Sequence, residues 1–137
     1  MISTRLTAAG AAALAVAACA TAPMDEAVEL PEQFQGVEIV TTDLGDGLYM
    51  LVGQGGNIGL SVGDDGAFMI DDQYAPLTPL IEAAVAEVND GVGDVRFLIN
   101  THYHGDHAGG NEAWGGKGAT IVAHDNVRER LMQPVAP

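Results

Sequence analysis

The chain has 137 residues, with 5 Lys and Arg against 19 Asp and Glu and a formal net charge of −14. That length suits one domain at most, and 47% apolar residues suffice for a packed core, which excludes wholesale disorder. The acidity excludes a nucleic-acid partner, because nothing here can release phosphate counterions over an extended surface, and one cysteine excludes an internal disulfide framework.

The first residues differ in kind from the rest. Arg5 is the only charge before an apolar, Ala-rich run at 6–18, and every acidic residue lies after Cys19. A short positive region, an apolar stretch and small residues near its end form a secretory signal. The run is too short and too Ala-rich for a membrane span, which needs about 20 strongly apolar residues. Val16-Ala17-Ala18-Cys19 resembles the bacterial lipobox, in which the cysteine becomes the lipidated first residue of the mature chain. The resemblance implies a lipoprotein-type signal at 1–18, lipidation at Cys19 and an exported, periplasmic protein anchored by lipid. Ala20 after the cysteine points to the outer membrane. Ordinary cleavage after Ala20 or Ala22 is the alternative. Pro23, Pro31 and three glutamates with little periodicity predict a flexible, solvated tether over 19–36.

From Val37 to the end the pattern is that of a folded unit. Val37, Ile39 and Thr41 alternate with Glu38, Val40 and Thr42 in a short extended run. Asp46-Gly47 is a turn before an apolar strand at 48–52, and Gly63-Asp64-Asp65-Gly66 joins strands at 58–62 and 67–70 as a hairpin. Asp71 and Asp72 end the last of these. Thr78 as N-cap and Pro79 at the first helical position open a helix whose apolar face is Leu80, Ile81, Ala84, Val85 and Val88. Asn89-Asp90-Gly91 stops it. Strands follow at 95–99 and 121–123, and Asp125 or Asn126 caps a last helix through Leu131. The fold class is α/β, a mixed sheet covered by helices. Gly53, Gly55 and Gly59 lack the spacing and the following helix of a dinucleotide loop and are expected in a hairpin loop. Trp114 is expected as a core anchor.

The chemistry is concentrated in Asn100-Thr101-His102-Tyr103-His104-Gly105-Asp106-His107-Ala108-Gly109-Gly110-Asn111. His102 and His104 are two apart, so an extended backbone sends both rings to one side. Gly105 lets the chain bend and bring Asp106 and His107 into the same space. Imidazole nitrogen and carboxylate oxygen are typical ligands of zinc in hydrolytic sites, where the metal keeps a position open for water.

His102-Tyr103-His104-Gly105-Asp106-His107 resembles the His-x-His-x-Asp-His signature of the metallo-β-lactamase superfamily. Asn100-Thr101, Ala108-Gly109-Gly110-Asn111 and Met69-Ile70-Asp71 strengthen the likeness, and 121–128 is similar to glyoxalase II-like and class B3-like branches. The resemblance implies up to two Zn2+ ions. His102 and His104 would bind the first, Asp106 and His107 the second. Asp71 would brace the histidine loop, and Asp106 would orient an attacking hydroxide and take up its proton. The substrate would be a small ester, thioester, lactone or β-lactam.

The family fold is an αββα sandwich of two similar halves, and its pattern needs a third His, a bridging Asp or Cys and a last His beyond the loop. Here the only later histidine is His124 and the only later aspartate Asp125. In the family pattern that His lies at a strand–helix junction, so a helix-cap or surface role is expected. Residues 37–137 are therefore expected to form the N-terminal half of the hydrolase domain. The uncovered sheet face of that half would be open to association. Two alternatives remain: a non-catalytic metal- or partner-binding lipoprotein, and an iron-dependent dioxygenase of the same fold, since such sites also accept iron.

Overall fold

Short apolar runs punctuated by Gly-Asp turns become strands. In the computed structural model, which describes residues 29–91 and 93–133, these are β1 (Val40–Gly45), β2 (Leu48–Val52), β3 (Asn57–Gly63), β4 (Gly66–Ile70), β5 (Phe97–Asn100) and β6 (Thr120–Ala123). They form one sheet in chain order. The first four strands run antiparallel, and β5 and β6 add in parallel. Both parallel joins need crossovers, which the helices supply. α1 (Thr78–Val88) links β4 to β5, and α2 (Gly105–Ala108) and α3 (Asn111–Gly116) link β5 to β6. α4 (Asp125–Leu131) follows. The sheet is mixed and the fold α/β, as the sequence pattern predicts. Cys19, the signal segment and most of the tether lie outside the described residues.

Four boundaries differ from the sequence expectation. β1 starts at Val40, because β2 ends at Val52 and leaves Val37 and Ile39 no ladder partner. Val37 instead closes a turn onto the Phe34 carbonyl. β5 starts at Phe97, with Val95 buried in the core ahead of the ladder. Thr78 is not the N-cap of α1 but its first residue; the 3-10 turn Ala75–Leu77 feeds the helix and buried Leu77 stands at the cap. The cap of α4 is His124, whose Nδ1 accepts from the Asn126 amide at 3.1 Å, rather than Asp125 or Asn126.

Strand alternation sends Leu51, Ile58, Leu60, Ala67, Met69 and Leu98 to one face, where Leu77, Ile81, Ala84, Val85, Trp114 and Phe34 cover them. Trp114 is fully buried. The opposite face carries Leu48, Ile70, Ile99 and Val122, which stay 39–49% exposed. Ile99 is in register with both Ile70 and Val122, so these three make a continuous apolar row. Leu44, Leu48, Phe68, Ile70 and Ile99 line a shallow groove there. Among the described residues no helix is long and apolar enough to cross a membrane.

The two faces predict opposite mutational costs. Leu98→Ala removes a fully buried side chain and should destabilise by about 2–5 kcal/mol. Its neighbour Ile99→Ala, on the exposed face, should cost under about 1 kcal/mol. Urea denaturation of both variants checks the assignment.

Candidate metal centre

The site stands where parallel strands β4 and β5 end. Asp71, just past β4, donates its amide to the Ile99 carbonyl at 2.9 Å, and Thr101, just past β5, faces it. The Asp71 carboxylate then gathers three donors. Its Oδ1 accepts from the Thr101 amide at 2.8 Å, and its Oδ2 accepts from the Thr101 hydroxyl at 2.7 Å and from His107 Nδ1 at 2.8 Å. Asp71 pays for this position with a left-handed backbone, φ 62°.

These bonds fix the imidazole tautomers. Because the Thr101 hydroxyl donates to Asp71, its oxygen accepts from His102 Nδ1 at 3.0 Å, which leaves His102 Nε2 with a free lone pair. His107 gives its Nδ1 hydrogen to Asp71, so its Nε2 is free in the same way. His104 has an extended backbone (φ −66°, ψ 149°) and its carbonyl starts α2, accepting from the His107 and Ala108 amides. That single turn of helix swings Asp106 and His107 back towards His102, whose ring centroid lies 4.0 Å from that of His107.

The remaining ligand-type atoms come together in two pairs. His102 Nε2 lies 3.2 Å from His104 Nδ1, and His107 Nε2 lies 3.4 Å from Asp106 Oδ2. Two ligands of a tetrahedral zinc, at about 2.0–2.1 Å from the ion, sit about 3.3 Å apart. Both spacings therefore suit a shared divalent ion. Asp71, His102 and His107 also form a group with one ligand atom each, all within 4.8 Å, so the described residues include a possible metal site. Of the sequence-predicted set, that group holds Asp71, His102 and His107; His104 meets it through His102, and Asp106 through His107. His124 is engaged as the α4 cap, and Cys19 lies outside the described residues.

Sequence reasoning missed the next ring of residues. Asp72 donates its amide to the His107 carbonyl at 2.9 Å and accepts from the Gly110 amide through Oδ1 at 3.0 Å. The Gln73 carbonyl accepts from the Gly109 amide at 3.0 Å. Asn111 donates to Asn100 at 2.8 Å, tying α3 to the end of β5. The loop at 53–56 presses on the same segment, and Gly56 donates its amide to the Asp106 carbonyl at 3.4 Å. The available signal was the run Asp71-Asp72-Gln73, three consecutive polar residues directly after an apolar strand.

The superfamily profile described as "Metallo-beta-lactamase superfamily" matches residues 51–135, more than half of the chain. The chain belongs to the metallo-β-lactamase superfamily. No curated protein matches it at a significant level. Among solved structures it is similar to the HARLDQ-motif metallo-β-lactamase of Cronobacter sakazakii, with 23% identity and a TM-score of 0.59 over 68% of this chain and 36% of that one. It is similar to FIM-1 of Pseudomonas aeruginosa, solved in a mono-zinc form, with 20% identity and a TM-score of 0.57 over 69% of this chain and 46% of that one. The subclass B3 enzyme of Bradyrhizobium japonicum gives 23% identity and a TM-score of 0.58 over 71% and 37%. The chain thus spans less than half the length of these three proteins.

Within this metallo-β-lactamase fold Asp72 is fully buried, and its Oδ2 has no hydrogen-bond partner. Burial pushes its pKa from 3.8 up to about 7, with the neighbouring Asp71 charge adding to the rise and the Gly110 amide opposing it. The folded chain therefore holds this proton to higher pH than the unfolded chain. The associated stability is present below about pH 4 and is lost as pH rises towards about 7. Asn mimics the neutral acid. In metal-free protein, Asp72→Asn should match wild type near pH 4 and exceed it increasingly by about pH 7, by up to about 4 kcal/mol. Urea denaturation across that range reads the difference; a gap that does not change with pH contradicts it.

Proposed function

We propose that this chain carries the first two ligand pairs of a zinc-dependent hydrolase. The carrying observation is the pairing of ligand-type atoms at 3.2 and 3.4 Å on a loop already braced from behind. His102 and His104 hold one ion, and Asp106 and His107 hold the other. Each pair supplies two of the three protein ligands that a catalytic zinc usually has. The mono-zinc form of the structurally similar Pseudomonas aeruginosa enzyme supports zinc as the metal.

When bound, zinc supplies a Lewis acid for a carbonyl oxygen and a nucleophile derived from water at neutral pH. The chain's own residues do the rest. Asp71 and Thr101 hold His102 and His107 in the tautomers that present Nε2, so no reorientation is needed on binding. The Asp106 carboxylate, one oxygen of which faces His107, orients the attacking water and accepts its proton. A compact substrate with a polarisable carbonyl fits this chemistry: an ester, thioester, lactone or β-lactam. The signal-like N-terminus and the lipobox-like run ending at Cys19 support export from the cytoplasm and anchoring through Cys19.

Zinc titration by calorimetry tests the reading. The wild-type chain should bind up to two ions. His102→Ala should lose the first and Asp106→Ala the second, each by more than the roughly 10–100-fold that loss of an outer hydrogen-bond partner costs. Thioester and β-lactam turnover by a hydrolytically competent wild type should vanish in both variants. Unchanged zinc binding in either variant contradicts the assignment.

A further inference from the structure

Gln73 is an anomaly that the metal reading alone leaves unexplained. It is a long polar side chain with no solvent exposure, and its backbone is left-handed at φ 55° although it is not glycine. Such a conformation costs on the order of 1 kcal/mol and persists only where the surroundings impose it. Its amide Nε2 donates to the Gly56 carbonyl in the loop at 53–56, while its own carbonyl holds the Gly109 amide behind α2. One residue thus grips both the histidine segment and the loop that lies against it.

That loop is shaped around the second ligand pair. A Cβ on Gly56 would run into the His107 imidazole, with both ring nitrogens only 2.9 Å away. A Cβ on Gly55 would meet Asp106 Cβ at 3.0 Å, and one on Gly53 would meet the Gln73 amide oxygen at 2.7 Å. The glycines therefore allow backbone to pack directly on the ring of His107 and the stem of Asp106. Asp71 holds His107 by Nδ1 alone, a contact about which the ring can still tilt; the Gly56 backbone closes off that tilt.

We propose that Gln73 is a positioning residue for the Asp106–His107 pair, acting through Gly56: its amide clamps the loop at 53–56 onto the His107 ring and so aims Nε2 at the second ion. This rests on the reading of Asp106 and His107 as ligands. The nearest neighbours of Cβ positions on Gly53, Gly55 and Gly56 include Asp106 and His107 but no atom of His102 or His104, so the clamp discriminates between the two ions.

The test uses Gln73→Met, which keeps length and volume but removes the donor, and Gly56→Ala, which sets a methyl against the ring while leaving Gln73 intact. Two readouts are taken on the full chain: cobalt and zinc titration, and the imidazole nitrogen resonances of His107 in metal-free protein. The expected result is sharp His107 signals in wild type and broadened His107 signals in both variants, with the Nδ1-protonated tautomer that Asp71 sets kept in all three. Affinity for the second ion should fall by about 10–100-fold while that for the first is unchanged. Wild-type His107 line widths and wild-type second-ion affinity in a folded Gln73→Met overturn the proposal, as does an equal loss at both sites. Should Gln73→Met not fold, Gly56→Ala decides by the same criteria. Should wild type bind no metal, the ligand reading fails, and the His107 resonances still decide whether Gln73 orients the ring.

Discussion

The Asp71 carboxylate is the contact on which the site depends. It lies at the end of one parallel strand and accepts the amide and hydroxyl of Thr101 at the end of the next, together with His107 Nδ1 from the far side of the histidine loop. A carboxylate can accept this many bonds because each oxygen carries two lone pairs. Through Thr101 the same carboxylate sets the tautomer of His102, a residue it does not touch. Two imidazoles are thus aimed by one side chain. Removing it would leave both rings free to rotate and present the wrong nitrogen.

Around that contact the chain spends little sequence. Asp71, Asp72 and Gln73 are consecutive, yet each grips a different part of the loop: Thr101 and His107, then the His107 carbonyl and Gly110, then Gly109 and Gly56. Two of the three adopt positive φ, which lets neighbouring side chains leave the strand end in different directions. The strain and the buried Asp72 both count against stability, and both are found beside the candidate metal site, a common location for such features.

Much of the architecture was legible. The strands at 48–52 and 67–70 and the helix through Val88 announce themselves by apolar periodicity and flanking turns, because burial on one face imposes it. Trp114 lies in the core, as expected of the one tryptophan in the chain. The convergence of His102, His104, Asp106 and His107 was legible because it is local, spread over six residues with a glycine at the bend. What escaped is non-local. Nothing in the strand-end run Asp71-Asp72-Gln73 says that Gln73 reaches back to Gly56, or that a Cβ on Gly110 would crowd Asp72 and Thr78 at 3.1–3.2 Å. Caps were misplaced for a similar reason: a 3-10 turn ahead of α1 and the side chain of His124 took the roles that local preference gave to Thr78 and Asp125.

The sheet also presents a face of exposed Leu48, Ile70, Ile99 and Val122, while everything chemically distinctive gathers at one end of its parallel strands. That end is where open α/β sheets bind ligands. Anomalous diffraction from crystals grown with zinc decides whether the histidine loop holds the metal. The expected map has a zinc peak bonded to His102 Nε2 and His104 Nδ1 at about 2.0–2.1 Å, with Asp71 hydrogen-bonded to Thr101 and His107 rather than to the ion. Zinc found only elsewhere on the surface, with these two nitrogens turned apart, would contradict it.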